Sequence, residues 1–236
     1  MKKILITSGG TKVNIDPVRH IGNMSSGTMG KNIALSALSQ GYHVTFLTSK
    51  GGKTPFSANI DLSSMTLQEY DSALAELKKN HTRYRHNYEQ FTYDTYDDYE
   101  KLLLGSLDWA WADYDAIVLC AAVSDYTVEY SKDKMKSADS MSIPLIPTKK
   151  LIPEVIKRKK NAKVVGFKLL NEAPFELMKE TCCNYIDKYG LDMIVGNDIW
   201  HLKHGHYYNL IVHSNKNMTY VVNDFSDHIV KHIGLL

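Results

Sequence analysis

Arg19 and Asn23 lie in a loop between two glycine clusters, Gly9-Gly10 and Ser25-Ser26-Gly27-Thr28-Met29-Gly30. Arginine presents a planar fork that binds phosphate or carboxylate bidentately. Asparagine both donates to an oxyanion and accepts in return. Glycines let backbone N–H groups approach a phosphate, and a helix starting after the second cluster would add a favourable dipole for an anion. Farther along, Asp125 closes an apolar run, where it is placed to meet a ligand's hydroxyls or base. Lys134 and Lys136, in Lys-Met-Lys, bring two cations that project alternately if the chain is extended. Each group also has a plainer role. Gly9-Gly10 makes a tight turn, Ser25-Ser26-Gly27 a helix cap, Arg19 and Asn23 brace a loop, Asp125 caps a helix, and the lysines sit in a solvated loop.

The familiar nucleotide fingerprints do not fit. A dinucleotide site needs its glycines packed directly between strand and helix, and here a long loop separates Gly9-Gly10 from Gly27 and Gly30. Gly52-Lys53-Thr54 ends like a phosphate loop, but Leu47 stands where the first glycine belongs. Gly30-Lys31 is followed by Asn32 rather than Ser or Thr. The histidines do not spell a metal site: His201, His204 and His206 lack a helical i,i+4 pair and nearby acids, and His228 and His232 are i,i+4 without a third ligand in view. No metal-ligating protein residue is therefore expected. The basic run Lys157-Arg158-Lys159-Lys160 sits at a helix C-terminus, where cations are favoured anyway, and lacks interleaved aromatics. No nucleic-acid partner is expected.

The elements that must position these residues follow from periodicity. Residues 3–7, 43–47, 114–123, 163–168 and 193–198 read as strands, apolar along their length. Helical patterns occupy 27–39, 66–79, 102–109, 149–160, 175–189 and 225–233, and 142–146 reads as a short strand. Residues 208–212 and 219–222 read as a hairpin. Strands alternating with helices predict an α/β, Rossmann-like three-layer fold, with a mostly parallel sheet and a C-terminal β-hairpin. The stretch 86–100, rich in tyrosine and acid, reads as a solvated helix or an irregular insertion. Polar residues gather at four strand ends, Thr7-Ser8-Gly9, Ser124-Asp125, Phe167-Lys168 and Asn197-Asp198, where open α/β sheets bind ligands.

The 236 residues predict a single domain over 1–236, with a Tyr/Asp-rich insertion around 80–110. A net charge of +2 neither demands nor excludes an anionic partner. Three cysteines, two of them adjacent, make no disulfide framework and point to a reducing cytoplasm. The N-terminal apolar run is too short for a signal sequence, and none approaches membrane-spanning length, so no membrane partner is expected.

The combination is more specific than its parts. SGGTKVNIDPVRHIGNMSSGTMG, AAVSDY, KMK, VVGFK and VGND occur in that order, and over about residues 3–200 the chain resembles phosphopantothenoylcysteine synthetase, the phosphopantothenate–cysteine ligase family. No flavin-binding decarboxylase half precedes it, so it looks like the free-standing, monofunctional form. The resemblance implies a ligase of coenzyme A biosynthesis that joins 4′-phosphopantothenate and L-cysteine. The carboxylate would attack the α-phosphate of CTP or ATP, carried with Mg2+, and the cysteine amine would displace the nucleoside monophosphate. CTP is favoured, because a short chain without eukaryotic extensions looks bacterial; the intermediate would then be an acyl-cytidylate. The family also implies a homodimer.

By position, the resemblance makes Asn23 the catalytic asparagine, Arg19 its loop partner, and Lys134 the first lysine of a loop that closes over the triphosphate. Gly9, Gly10, Ser26, Gly27, Ala121, Ala122, Asp125, Lys136, Phe167 and Lys188 fall at nucleotide-binding positions. The chain departs from the pattern at Ser137, at Lys149-Lys150 in place of a proline-aspartate segment, and at Asn184, with one inserted residue near Gly190. Two other classes of function compete: a nucleotide- or flavin-binding module without ligase activity, and an NAD(P)-dependent short-chain-type enzyme.

Overall fold

The computed structural model describes residues 1–57, 63–106, 114–136, 140–204, 208–222 and 225–235. Strand β1 (Lys3–Ser8) is followed by a small hairpin, β2 (Lys12–Asp16) and β3 (Arg19–Gly22), then helix α1 (Thr28–Ser39) and strand β4 (His43–Ser49). Helix α2 (Leu67–Tyr84) leads to β5 (Tyr88–Tyr93) and α3 (Tyr96–Lys101). Next come β6 (Ala116–Leu119), the two-residue strands β7 (Tyr126–Thr127) and β8 (Ile146–Pro147), α4 (Ile152–Arg158), β9 (Lys163–Leu170) and α5 (Phe175–Tyr189). The chain ends with β10 (Met193–Asp198), α6 (Ile199–Lys203), the hairpin β11 (Tyr208–His213) and β12 (Met218–Val222), and α7 (Ser226–Leu235).

Eight strands form one sheet in the order β12-β11-β10-β9-β6-β1-β4-β5, parallel from β10 to β5, with β11 and β12 antiparallel. Within it, β5-β4-β1-β6-β9-β10 is the 3-2-1-4-5-6 order of a doubly wound fold. The expected α/β architecture with its C-terminal hairpin is the observed one. Side chains of β1 alternate between the two faces, as strand geometry requires. Leu5 joins a core with Leu103, Val155, Cys182 and Ile186, under α3, α4 and α5. Ile4 and Ile6 join Ile33, Leu38, Ile229 and Ile233, under α1 and α7. Burial on both faces is why the strands read as continuous apolar runs.

Three expectations are corrected. The stretch 86–100 is neither a solvated helix nor irregular: it supplies β5, the third strand in that order, and the capped helix α3, with Tyr93, Tyr96 and Tyr99 buried. Glu89, Asp97 and Asp98 are exposed, so composition masked a half-buried strand and helix. The strand expected over 114–123 is regular only over Ala116–Leu119: Ala121 N bonds the Thr7 side chain rather than a main-chain oxygen, and pairing resumes as a single parallel bridge of Ala122 with Gly10. The strand expected over 142–146 is reduced to β8. Helix 102–109 appears as one π-helical stretch, Leu102–Ser106, and 107–109 lie outside the described residues, as do Ser137 and His206.

Tertiary packing also assembles a histidine cluster. His232 lies 4.2 Å from His228 and 4.7 Å from His213, ring centre to ring centre. The described residues contain no group of three or more ligating side chains able to hold a metal. Burial, then the neighbouring imidazoles and Lys231, hold His213 and His228 below the ordinary histidine range. The folded chain therefore favours the neutral rings, whereas unfolded histidine titrates near about 6.5. Below that pH the unfolded chain binds more protons, so stability is complete above about pH 6.5 and declines as pH falls. Thermal melts from pH 8 to 5.5 should show Tm dropping at the acid end, and His228→Gln should flatten the drop. A Tm difference between variant and parent that does not change with pH would contradict this.

Candidate active site

The parallel strand ends and their loops enclose a cavity of about 850 Å³. It lies beyond the carboxyl ends of β1 and β6, where the strand order reverses and doubly wound sheets bind ligands. That volume is within the range of small-molecule sites.

The floor is set by backbone. Ala122 N donates to Gly9 O at 2.8 Å, and Thr11 N donates to Ala122 O at 3.1 Å. Thr11 Oγ1 accepts from Ser124 N at 2.8 Å and lies 2.9 Å from Ser124 Oγ; both residues are buried. Asn23 N donates to Thr11 O at 3.2 Å. The loops after β1 and β6 therefore form one hydrogen-bonded unit that presents Asn23, Ala121, Ala122 and Asp125 to the cavity.

Helix α1 begins at the same place. Its cap is Gly27, left-handed at φ 77°, rather than Ser25 or Ser26, and no side chain caps it. Ser26 Oγ lies 2.9 Å from Thr28 Oγ1 and accepts one long bond, 3.4 Å, from Thr28 N. No acid occupies the first turn, so the N–H groups at this end of α1 retain their pull on an anion. The helix presses onto the end of β1: a Cβ at Gly30 would stand 2.4 Å from Ser8 Oγ. Gly27, Ser26 and Gly30 all line the cavity.

Arg19 is held otherwise. Its Nε donates to Asp16 Oδ2 at 2.9 Å and its Nη2 to Met135 O at 2.5 Å. Asp16 in turn accepts from the N–H groups of Val18, Arg19 and Met135. Burial alone would raise the Asp16 carboxyl, but those N–H groups and the arginine charge hold it below the usual range. The pair thus pins the middle of Lys134-Met135-Lys136 to the β2–β3 hairpin. Met135 packs on the core, and Lys134 and Lys136 stay exposed, outside the cavity wall.

The other expected residues divide similarly. Phe167 lines the cavity. Gly9 and Gly10 lie behind the wall, Gly10 directly beneath Asn23: a Cβ there would meet Asn23 O at 2.3 Å. Lys188 is exposed and lies over the Tyr189 ring at 5.1 Å, and it is Tyr189 that reaches the wall. Asp125 pairs with Lys150. Lys149 and Lys150, which in sequence stood out only as a departure, are part of the wall.

Sequence reasoning missed Tyr99, Tyr185 and Asn209 as wall residues; Asn209 forms a buried amide pair with Asn197. Asn197 and Asp198 had a signal, the polar end of an apolar strand. The structure makes Asp198 a cap, accepting from Trp200 N at 2.9 Å and Ala173 N at 2.9 Å. Cys120 also lines the cavity, but burial pushes its thiol up to about 12, so it is not a thiolate nucleophile at neutral pH.

The family model described as DNA/pantothenate metabolism flavoprotein C-terminal domain matches residues 1–81 and 102–227. The chain is 30% identical over 200 residues to the coenzyme A biosynthesis bifunctional protein CoaBC of Thermococcus kodakarensis, covering 84% of this chain and 41% of that protein. The chain thus spans less than half of that bifunctional relative's length. It is 28% identical to phosphopantothenate–cysteine ligase CAB2 of Saccharomyces cerevisiae, covering 83% of this chain and 64% of the other. Among solved structures, a Cab2 mutant in complex with phosphopantothenate-cysteine superposes with a TM-score of 0.80 at 24% identity, covering 99% of this chain and 85% of that one. At that identity the likeness speaks for the fold.

Proposed function

Since the chain belongs to the DNA/pantothenate metabolism flavoprotein C-terminal domain family, we propose that it is a phosphopantothenate–cysteine ligase of coenzyme A biosynthesis. It joins 4′-phosphopantothenate to L-cysteine through an acyl-nucleotide. The observation that carries this is the joint placement of an uncapped helix N-terminus, Asn23 and the Ala121–Asp125 turn around one cavity. A carboxylate is a poor acyl donor until its oxygen is part of a good leaving group. Its oxygen attacks the α-phosphorus of a nucleoside triphosphate, the bond to the bridging oxygen breaks, and pyrophosphate leaves. The cysteine amine then attacks the acyl carbon and loses a proton, and the nucleoside monophosphate departs with the electron pair of the broken C–O bond. Positioning and charge stabilisation supply most of such catalysis.

In this scheme the α1 N-terminus, with Ser26 and Gly27, takes a phosphate. Asn23 donates to the oxygen that becomes negative during cysteine attack. Asp125 faces ribose or base, Phe167 flanks the nucleotide, and Lys188 supports it through Tyr189. Lys134 and Lys136 close over the triphosphate, and the Arg19–Asp16 brace fixes the turn between them. Magnesium arrives with the triphosphate, which fits a wall whose described carboxylate, Asp125, is already paired with Lys150. We take CTP as the preferred nucleotide over ATP.

Residues 1–236 are read as one ligase domain with an insertion around 80–110, which the interruption of the family match over 82–101 supports. A homodimer is supported by apolar side chains exposed on the two small hairpins: Val18 at 62%, Ile21 at 45%, Tyr126 at 52% and Ile146 at 49%. A solution mass of one chain would count against it. A cytoplasmic setting accords with the three free cysteines; among the described residues no helix is long and apolar enough to cross a membrane.

The test is pyrophosphate release with phosphopantothenate, cysteine, magnesium and either CTP or ATP, run side by side. Release independent of phosphopantothenate would sink the ligase and leave a nucleotide- or flavin-binding module. Faster release with ATP would reverse the nucleotide assignment. Lys134→Ala is expected to slow pyrophosphate formation on the order of a hundredfold, as removal of a charge-stabilising donor does, with Tm unchanged because the side chain is exposed.

A further inference from the structure

Tyr93, Tyr96 and Tyr99 belong to the stretch that the family match leaves out, yet Tyr99 lines the cavity and the other two bond the elements behind its wall or within it. They are 2%, 6% and 2% exposed. Two hydroxyls donate to the end of β1, Tyr93 to Ser8 O at 2.6 Å and Tyr99 to Thr7 Oγ1 at 3.3 Å, and the third, of Tyr96, donates to Lys149 O at 2.7 Å. Thr7 Oγ1 also accepts from Ala121 N at 3.2 Å, so Tyr99 bears on the turn after β6 as well. The Tyr93 and Tyr99 rings meet edge-on at 5.0 Å, so each ring packs the other in place. Burial raises all three phenols, Tyr96 to about 12, and they remain donors at neutral pH.

Packing alone would be met by phenylalanine. A buried hydroxyl is costly unless bonded, and these three bond not to one another but to the end of β1, twice, and to the Lys149 segment of the cavity wall. We propose that Tyr93, Tyr96 and Tyr99 are positioning residues that clamp the end of β1, the Ala121–Ala122 turn and the Lys149–Lys150 segment at a fixed separation, so that the α1 N-terminus and Lys150 engage one nucleoside triphosphate together. This rests on the ligase assignment above for its ligand, but not for its geometry. A strand and helix appended beside β4 thereby act on a reaction whose contacting groups lie elsewhere.

The experiment uses the full chain with Tyr93→Phe, Tyr96→Phe and Tyr99→Phe, which keep the rings and their packing. Amide hydrogen exchange should rise about tenfold locally: near Ser8–Thr11 for Tyr93→Phe, near Leu119–Ala122 for Tyr99→Phe, and near Lys149–Leu151 for Tyr96→Phe. KM for the triphosphate should rise about fivefold to tenfold in each, the usual effect of one lost hydrogen bond, with kcat retained. Variants that melt lower but keep parental exchange at those segments and parental KM would overturn the clamp and leave the tyrosines as core. Exchange raised uniformly would do the same. If the parent shows no phosphopantothenate-dependent pyrophosphate release while the local exchange pattern appears, the clamp stands and the ligase assignment fails.

Discussion

Asn23→Asp is expected to form acyl-nucleotide and then stall, with amide formation slowed about 100- to 1,000-fold. The main chain of residue 23 is anchored through its N–H to Thr11 O and its side chain stands in the cavity wall, so the substitution changes only the head group. A carboxamide donates an N–H to the oxygen that gains charge as cysteine attacks. A carboxylate of the same shape cannot donate. The first step does not use that donor and should survive. Rapid-quench assays should show a pyrophosphate burst equal to the enzyme present, followed by slow release of nucleoside monophosphate. An Asn23→Asp enzyme with parental steady-state turnover would remove Asn23 from the chemistry.

Gly10→Ala should cost turnover on the order of a hundredfold without touching a reacting group. The new Cβ would stand 2.3 Å from Asn23 O, a backbone atom that cannot swing aside as a side-chain tip would. Residue 23 must move, and displacement of about 1 Å at a reacting centre is enough for a loss of that size. Stability should fall less dramatically, by about 1–3 kcal/mol, the usual cost of overpacking. Gly41→Ala is the control. Gly41 is left-handed at φ 84°, and a Cβ added there would meet nothing within 4 Å, so alanine should strain the backbone by about 1–2 kcal/mol and leave kcat alone. Equal kcat for the two variants would mean that the Gly10–Asn23 contact does not set the geometry of the site.

Much of the fold was legible because its signals are local. The strands β1, β4, β9 and β10 are buried on both faces and announce themselves as short apolar runs closed by polar or glycine residues. Helix α5 shows its apolar stripe and ends at Gly190, left-handed at φ 66°. β5 was illegible for the opposite reason. It is an edge strand of tyrosine, threonine, glutamine and glutamate, its outer side meets water, and alternation in such a segment competes with a helical pattern of acids. The hairpin β2–β3 was hidden by its shortness and by Pro17 in its turn.

What the sequence by itself determined is the alternation of β1, α1, β4, β9, α5 and β10, the strand-end positions of the polar groups, and the family, carried by a long motif whose residue types and spacing survive without reference to any contact. What only the tertiary structure decided is which of those residues share a cavity. Arg19, close to Asn23 in sequence, is turned into a brace by Asp16, while Lys149 and Lys150, far from it, stand in the same wall as Asn23. His213 meets His232, a neighbour no helical spacing could reveal, and His232 in turn lies against His228. The tyrosines of a stretch that composition marks as solvated are driven inward by their rings, and their hydroxyls, needing partners once buried, find them on Ser8, Thr7 and Lys149. Local pattern specifies which face of an element is apolar; the identity of the atoms opposite that face depends on how the chain crosses the sheet, and no window of sequence contains both sides of such a contact.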